Sequence, residues 1–178
     1  MDMLKKIRDY LLGPSFIALI IRQIMIALVL SYFIINFILL PCVVEGSSMY
    51  PALQEGDYGY SFIISRNISI NRFDIVVIQI DGKEELLVKR LIGLPNETIS
   101  YKNNKLYVND KYVEETFLDT EVKTGDLEVV LGEDEYFFLG DNRNVSKDSR
   151  YYGTISKQQI LSTHVFVIKP LSHFGIKK

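Results

Sequence analysis

Two adjacent serines, Ser47 and Ser48, lie in the stretch EGSSMYPALQEGD, a few residues after a long apolar segment that ends at Pro41. A serine hydroxyl is a weak nucleophile at neutral pH and needs a base beside it. Chemistry at this point of the chain therefore depends on a second residue that can accept the hydroxyl proton.

Histidine is the first candidate base, and the sequence contains two histidines, His164 and His173, close together near the C-terminus. His164 lies in the apolar strand-like stretch THVFVIKP, and His173 lies in a terminal loop. Ser48 is not in a G-x-S-x-G nucleophile elbow, because Met49 and Tyr50 follow it. We therefore expect both histidines to be structural or solvent-exposed.

Lysine is the second candidate base, and it can act only if desolvation lowers its pKa toward neutrality. Lys89 has apolar residues on both sides in the stretch LLVKRLIG. Strand alternation would direct Lys89 and Arg90 to opposite faces. From spacing alone, a solvated pair of cations on an edge strand is the simpler interpretation, and a buried general base is the alternative.

A polar loop, FLGDNRNVSKDSRYYG, covers residues 138–153. It contains two carboxylates, a serine and two arginines: Asp141, Asp148, Ser146, Arg143 and Arg150. Taken alone, this composition predicts a turn that is stabilised by local side-chain hydrogen bonds.

The apolar segment predicts an uncleaved transmembrane anchor over residues 17–41. It is longer than a usual signal-peptide core and no A-x-A site follows it, while Pro41 before Cys42 disfavours a lipoprotein signal. A buried core helix is the remaining alternative.

Charges on the two sides of this segment predict its orientation. Four cations precede the uncharged run, and the first charges after it are acidic: Lys5, Lys6, Arg8 and Arg22, then Glu45, Glu55 and Asp57. The positive-inside rule then predicts a single-pass protein of the cell membrane. Residues 1–16 would be cytoplasmic and residues 42–178 would form an extracytoplasmic domain.

Composition excludes several other classes of function. The formal net charge is −2 and the sequence has one cysteine, Cys42. Nucleic-acid binding is disfavoured because no sustained basic cluster follows the N-terminus. An internal disulfide is impossible, and no Cys/His cluster has metal-ligand spacing, so we expect neither a metal nor another cofactor.

Short apolar runs and turn signals follow residue 43. Residues 73–80 and 84–93 flank Asp81-Gly82, which predicts a two-residue hairpin. The stretch ETISYKNNKLYVNDKYVEE predicts a β-meander with turns at Asn-Asn and Asn-Asp, and EYFFLGD and THVFVIKP predict two further strands. We predict a mostly β fold: an N-terminal transmembrane helix followed by a twisted or closed antiparallel β domain.

Four stretches occur in order after the anchor: GSSMYPALQEGD, NRFDIVVIQ, LLVKRLIGLPNE and LGDNRNVSKDSRYYG. They resemble the signature boxes of the type I signal peptidase family, membrane-bound Ser-Lys serine proteases that cut signal peptides from exported proteins. The resemblance covers essentially the whole chain. A lysine base is typical of the bacterial branch, and the short chain with Gly46 is similar to Gram-positive members.

The resemblance implies a role for each matching residue. Ser48 would be the nucleophile and Lys89 its general base, with the Ser146 hydroxyl orienting the lysine ammonium. Four further residues would brace the site, with Arg90 paired to Asp141: Asp141, Asp148, Arg90 and Arg150. Gly46 stands where some members carry an oxyanion-hole serine, so this hole would depend mainly on backbone N–H groups such as that of Ser48.

The resemblance also implies substrates, namely signal peptides of exported preproteins, whose small residues would enter shallow apolar pockets. The expected lining residues are Val44, Met49, Leu53 and Val88. Met49 and the aromatics Tyr50, Tyr58, Tyr60 and Phe62 are candidates for contact with the phospholipid bilayer, and an ordinary core or edge position is the alternative for each of them. Phe73 stands where the family commonly has glycine.

The first alternative shares the same fold, and the second is a related Ser-Lys protein. A non-catalytic, membrane-tethered binding module or pilin-assembly chaperone is disfavoured by the presence of Lys89 and Ser146. A self-cleaving Ser-Lys regulator is disfavoured by the anchor and by the lack of a DNA-binding half.

Overall fold

The computed structural model describes residue 3, residues 14–118 and residues 123–177. The chain forms two compact units, Met1–Ile38 and Leu39–Lys178. Most of the predicted cytoplasmic segment, residues 1–16, lies outside the described residues, so its position stays a prediction.

Helix α1, Pro14–Phe37, is the main element of the first unit. Its stretch Phe16–Phe37 is long and apolar enough to cross a membrane. At 1.5 Å per residue, a helix of 22 residues is about 33 Å long, close to the thickness of the hydrocarbon core. The predicted span of 17–41 extends further, but Leu39 to Pro41 pair with the second strand instead.

Within the described part of the second unit, eleven strands form two antiparallel sheets. In chain order they are β1 Leu39–Val43, β2 Tyr58–Phe62, β3 Ile75–Gln79, β4 Leu86–Gly93, β5 Thr98–Lys102, β6 Lys105–Val108, β7 Lys111–Val113, β8 Leu127–Val130, β9 Phe137–Leu139, β10 Ile160–Lys169 and β11 Gly175–Lys177. Short helices α2 (Ser65–Ile68) and α3 (Ser149–Tyr152) and two 3₁₀ turns (Lys157–Gln159 and Leu171–His173) lie between strands.

The large sheet has the strand order β1-β2-β10-β3-β4-β9, with β11 added to β10. Within the described residues, β1 and β9 remain at the ends of this order. The prediction of a mostly antiparallel β domain after an apolar helix is confirmed, and the described strands show no closure into a barrel.

The small sheet has the order β7-β6-β5-β8, and its meander matches the prediction. Its two hairpin turns, Asn103-Asn104 and Asn109-Asp110, have φ values of 53°, 60°, 49° and 62°. Asparagine and aspartate tolerate this left-handed region better than other side chains, which explains why these pairs terminate the strands.

The predicted two-residue hairpin at Asp81-Gly82 is wrong. Strands β3 and β4 pair only from Ile75↔Arg90 to Gln79↔Leu86, so residues 80–85 connect them. The dipeptide still occupies the centre of a turn, in which the Lys83 N–H donates to the Ile80 carbonyl at 3.0 Å. The charged residues that follow the turn stay outside the ladder.

Three apolar clusters form the core of the described residues. Two of them contain side chains of β3, such as Val77 in one and Val76 in the other. The third cluster joins the small sheet to β4 and β9, since it contains Ile99 together with Ile92 and Phe137. The second unit therefore contains buried cores of its own.

We predict that a protein starting at Leu39 folds without α1, because all three clusters lie within residues 39–178. A protein starting at Val44 also loses β1 and the buried Cys42, so its melting temperature should fall by about 5 °C or more relative to the Leu39 form. Circular dichroism with thermal melts measures both. An unfolded Leu39 form would show that the first unit is required for folding.

Candidate active site

Ser48 lies in the loop of residues 44–57 that connects β1 to β2. The loop is closed at its base, where the Val44 N–H donates to the Asp57 carbonyl at 2.9 Å. The Asp57 carboxylate is 1% exposed and accepts from the Gln54 N–H at 2.9 Å. The loop is therefore a fixed substructure and not a free linker.

Two side chains fasten the loop beside Ser48. Met49 is 1% exposed and Leu53 is 0% exposed, and both belong to the same apolar cluster. The Leu53 N–H also donates to the Met49 carbonyl at 2.9 Å. Because Met49 directly follows Ser48, its burial limits how far the serine backbone can move.

Lys89 is the residue that the fold brings to Ser48. It lies in the middle of β4, opposite Val76 of β3, and is 4% exposed. Its Nζ is 2.7 Å from Ser48 Oγ and donates to the Val88 carbonyl at 2.9 Å. The lysine is thus a buried amine in contact with a serine. This agrees with the alternative interpretation of the sequence, a buried base, and not with a solvated cation on an edge strand.

Burial lowers the pKa of Lys89 from 10.5 to about 8, and the nearby carboxylates of Asp148 and Asp141 oppose this change. This lowering corresponds to about 3 kcal/mol in favour of the neutral amine. Desolvation therefore outweighs the attraction of both carboxylates. The result is an amine whose pKa is near neutrality, as a general base requires.

Ser146 lies next to the pair, but the hydrogen bond to Lys89 that the resemblance implied is absent. Ser146 Oγ is buried without a hydrogen-bond partner among the described residues, because Lys89 Nζ is directed to Ser48 and Val88. Gly140 separates the two serines. A Cβ on Gly140 would lie 2.3 Å from Ser146 Oγ and 2.5 Å from the Ser48 carbonyl oxygen.

The predicted ion pair of Arg90 with Asp141 is present. It is bidentate, with Nε–Oδ1 and Nη2–Oδ2 distances of 2.8 and 2.7 Å. Arg150 binds Asp148 in the same manner, with both nitrogen–oxygen distances at 2.9 Å. Two-point contacts of this kind fix orientation as well as charge.

The same loop also holds the serine backbone, since the Asn142 N–H donates to the Ser48 carbonyl at 3.0 Å. Within the described residues, the Ser48 N–H itself has no hydrogen-bond acceptor. Neither histidine contacts Ser48: His164 Nε2 is 3.4 Å from Asp74, and His173 Nδ1 is 2.9 Å from Asp57.

A cleft with a volume of about 590 Å³ opens at the pair. Its lining includes Ser48 and Lys89, together with the predicted residues Gly46, Val44, Met49 and Val88. The prediction that Leu53 lines the substrate pocket is wrong, because Leu53 is fully buried in the cluster with Met49 and does not line the cleft. Sequence reasoning missed Cys42 and Val77, which also line it.

The expected bilayer-contacting residues differ in exposure. Met49 cannot serve, because it is 1% exposed, whereas Tyr50 and Phe62 are 49% and 44% exposed. Tyr58 and Tyr60 are half-buried and contact each other through their rings.

Sequence reasoning also missed the partners of Arg143, which is 2% exposed. Its guanidinium forms an ion pair with Glu115 and donates to the Tyr101 hydroxyl at 3.1 Å and to Thr124 Oγ1 at 2.7 Å. Its Nε donates to the Gly140 carbonyl at 3.0 Å. No spacing signal could indicate these contacts, since Glu115 follows β7 of the small sheet and Arg143 follows β9 of the large sheet.

Comparison with known proteins identifies the family of this chain. Residues 17–169 match the family described as signal peptidase, peptidase S26. The chain belongs to this family. The predicted type I signal peptidase, a serine peptidase that removes signal peptides, is confirmed by this match together with the named relatives.

The relatives extend over most of the chain. A signal peptidase I of Bacillus licheniformis is 39% identical over 85% of this chain and 88% of its own length. Signal peptidase I S of Bacillus subtilis is 38% identical with the same coverage. Signal peptidase IB of Staphylococcus aureus is 34% identical over 86% of this chain and 90% of its own.

A crystal structure of a signal peptidase I from Enterococcus faecalis has the same fold. It aligns with a TM-score of 0.50 and 32% identity, covering 53% of this chain and 96% of that chain. Each of these matches is to a peptidase, and none favours the non-catalytic alternative.

We predict that Gly140→Ala lowers the turnover number more than it changes KM. The new methyl group would meet Ser146 Oγ at 2.3 Å and the Ser48 carbonyl oxygen at 2.5 Å, so the two serines cannot both keep their positions relative to Lys89. A displacement of this size can cost on the order of 100-fold in rate. Gly132→Ala is a control, because its Cβ would have no neighbour nearer than 3.4 Å. Wild-type kinetics of Gly140→Ala would contradict the geometry.

Proposed function

We propose that the protein removes signal peptides from exported preproteins with Ser48 as nucleophile and Lys89 as general base. The observation that carries this proposal is the 2.7 Å contact between Lys89 Nζ and Ser48 Oγ, made by an amine that is only 4% exposed. An exposed lysine would be protonated at neutral pH and could not accept a proton.

The first step is acyl transfer. Neutral Lys89 takes the proton from Ser48 Oγ as the oxygen attacks the scissile carbonyl carbon, and a tetrahedral oxyanion forms. The Ser48 N–H, which has no acceptor within the described residues, is available to this oxyanion. The lysine ammonium then donates its proton to the leaving amine nitrogen as the carbon–nitrogen bond breaks.

Water completes the reaction. Lys89 accepts a proton from the water molecule as its oxygen attacks the Ser48 ester, and it returns a proton to Ser48 Oγ as the ester bond breaks. With a pKa of about 8, roughly one lysine in ten is neutral at pH 7. The Asp141 and Asp148 carboxylates favour the ammonium that forms during each half of the cycle.

Ser146 has a defined part in this cycle. An ammonium has three N–H donors, and Ser48 Oγ and the Val88 carbonyl account for two acceptors. The buried Ser146 hydroxyl has no partner among the described residues, so it is free to accept the third hydrogen when Lys89 becomes charged.

The substrate would bind as an extended strand. Two backbone edges at the cleft have no strand partner within the described residues: β1, which pairs only with β2, and the start of β4, since β9 pairs only from Arg90 onward. An added strand would bond these edges, and Val44, Met49 and Val88 suit the small apolar side chains near the cut.

The cellular arrangement follows from the anchor. Residues 1–16 would be cytoplasmic and residues 42–178 extracytoplasmic, by the positive-inside rule. In that orientation the exposed Tyr50 and Phe62 could contact the phospholipid bilayer from which the substrate emerges.

We predict that Lys89→Arg abolishes cleavage of a model preprotein with an Ala-x-Ala site. Arginine keeps the charge and can form an ion pair, but it does not release its proton at any usable pH. The measurement is a cleavage assay with the purified full-length variant in detergent, with folding checked by circular dichroism.

Two serine variants control this experiment. Ser48→Ala should also be inactive, whereas Ser47→Ala, at the exposed neighbouring position, should cleave at the wild-type rate. A folded Lys89→Arg protein that processes preproteins would refute the Ser-Lys mechanism. Activity in Ser48→Ala that is lost in Ser47→Ala would identify the other serine as nucleophile.

A further inference from the structure

The short segment Glu114–Leu118, which follows β7 of the small sheet, contacts two arginines that support the candidate active site. Glu115 binds Arg143, and Phe117 packs on Arg90. Alternate residues of the segment point the other way, since Glu114 and Thr116 are exposed. The segment thus presents one face toward the active-site loop.

The first contact is a buried ion pair. The Glu115 and Arg143 side chains are 6% and 0% exposed. The Tyr101 hydroxyl donates to the same Glu115 carboxylate at 2.8 Å, which fixes its position against the small sheet. Arg143 then donates from Nε to the Gly140 carbonyl at 3.0 Å. Through these contacts the small sheet helps to fix the position of Gly140, the glycine that separates Ser48 from Ser146.

The second contact is aromatic. The Arg90 guanidinium carbon is 4.1 Å from the centre of the Phe117 ring. Arg90 is also the arginine that binds Asp141. Phe117 also meets the Phe73 ring edge to face, with ring centres 5.0 Å apart. Phe73 has a φ of 72°, which is unfavourable for a bulky side chain. Its carbonyl accepts from Arg90 at 2.7 Å, and the strained backbone thereby helps to hold that arginine.

The two contacts converge on one residue. Asp141 and Arg143, the residues that Arg90 and Glu115 hold, lie on either side of Asn142. The Asn142 N–H is the donor to the Ser48 carbonyl. Movement of either arginine would therefore be passed to the backbone of the nucleophile.

We propose that Glu115 and Phe117 form a brace that positions Ser48 and Ser146 against Lys89. They are positioning residues, because neither contacts the reacting atoms. The proposal rests on the function proposed above. It goes beyond that function because the small sheet, through this brace, would affect kcat.

The test compares Glu115→Gln with Glu114→Gln in the full-length protein, using the same preprotein cleavage assay. Glu115→Gln removes the charge that pairs with buried Arg143, and we expect kcat to fall on the order of 10- to 100-fold with KM within about two-fold. A loosened loop also admits water to Lys89, so the midpoint of the kcat–pH profile should move to higher pH. Glu114→Gln, at the exposed neighbour, should match wild type in both.

A second pair of variants separates positioning from general stability. Phe117→Leu keeps an apolar side chain but removes the ring over Arg90, and it decides the question if Glu115→Gln does not fold. Ile160→Val destabilises the large sheet at a fully buried position, in a different apolar cluster from the one that Phe117 packs against. All rates are measured well below the melting temperatures of the variants.

Two results would overturn the brace. One is wild-type kcat and pH profile in the folded Glu115 or Phe117 variant. The other is an equal loss of kcat in Ile160→Val, which would assign the effect to stability. Failure of the Ser-Lys mechanism is distinguishable, because it would appear as residual activity in Ser48→Ala whatever the brace variants do.

Discussion

The amine of Lys89 is enclosed by protein and has a serine hydroxyl as its neighbour. Burial by itself lowers the pKa of Lys89, whereas the two nearby carboxylates by themselves raise it. Each carboxylate is held by its own arginine, Asp141 by Arg90 and Asp148 by Arg150, at nitrogen–oxygen distances of 2.7 to 2.9 Å. Their charge is thereby partly compensated, desolvation dominates, and the pKa of the lysine falls to about 8.

The arginines also determine where the loops lie. A buried charge that loses its partner costs several kcal/mol, so each ion pair favours one arrangement of the loop that carries it. The loop of residues 138–153 is tied to β4 by Arg90 and to the small sheet by Arg143. Its main chain in turn holds the Ser48 carbonyl through Asn142. The nucleophile and its base, which come from different parts of the chain, are thus held by the same polar network.

Local features were predictable from the sequence because their causes are local. The Asn103-Asn104 turn follows from a side chain that tolerates positive φ. The burial of Lys89 was not predictable in this way, because its spacing alone favoured a solvated cation on an edge strand. The ion pair between Arg143 and Glu115 was not predictable, since these residues are 28 positions apart in loops of different sheets. The wrong prediction of a two-residue hairpin at Asp81-Gly82 has a similar cause. The dipeptide indicates a turn, but the length of the connection depends on where the pairing between β3 and β4 ends.

The central claim is that burial lowers the pKa of Lys89 to about 8, so that a usable fraction of the amine is neutral near pH 7. The most direct test is an NMR titration of its side chain, with ¹³C-labelled lysine in the inactive Ser48→Ala protein and the Lys89→Arg variant to assign the signal. The account predicts a pKa near 8, separate from those of the exposed lysines. A Lys89 signal that titrates near the ordinary value of 10.5 would contradict it.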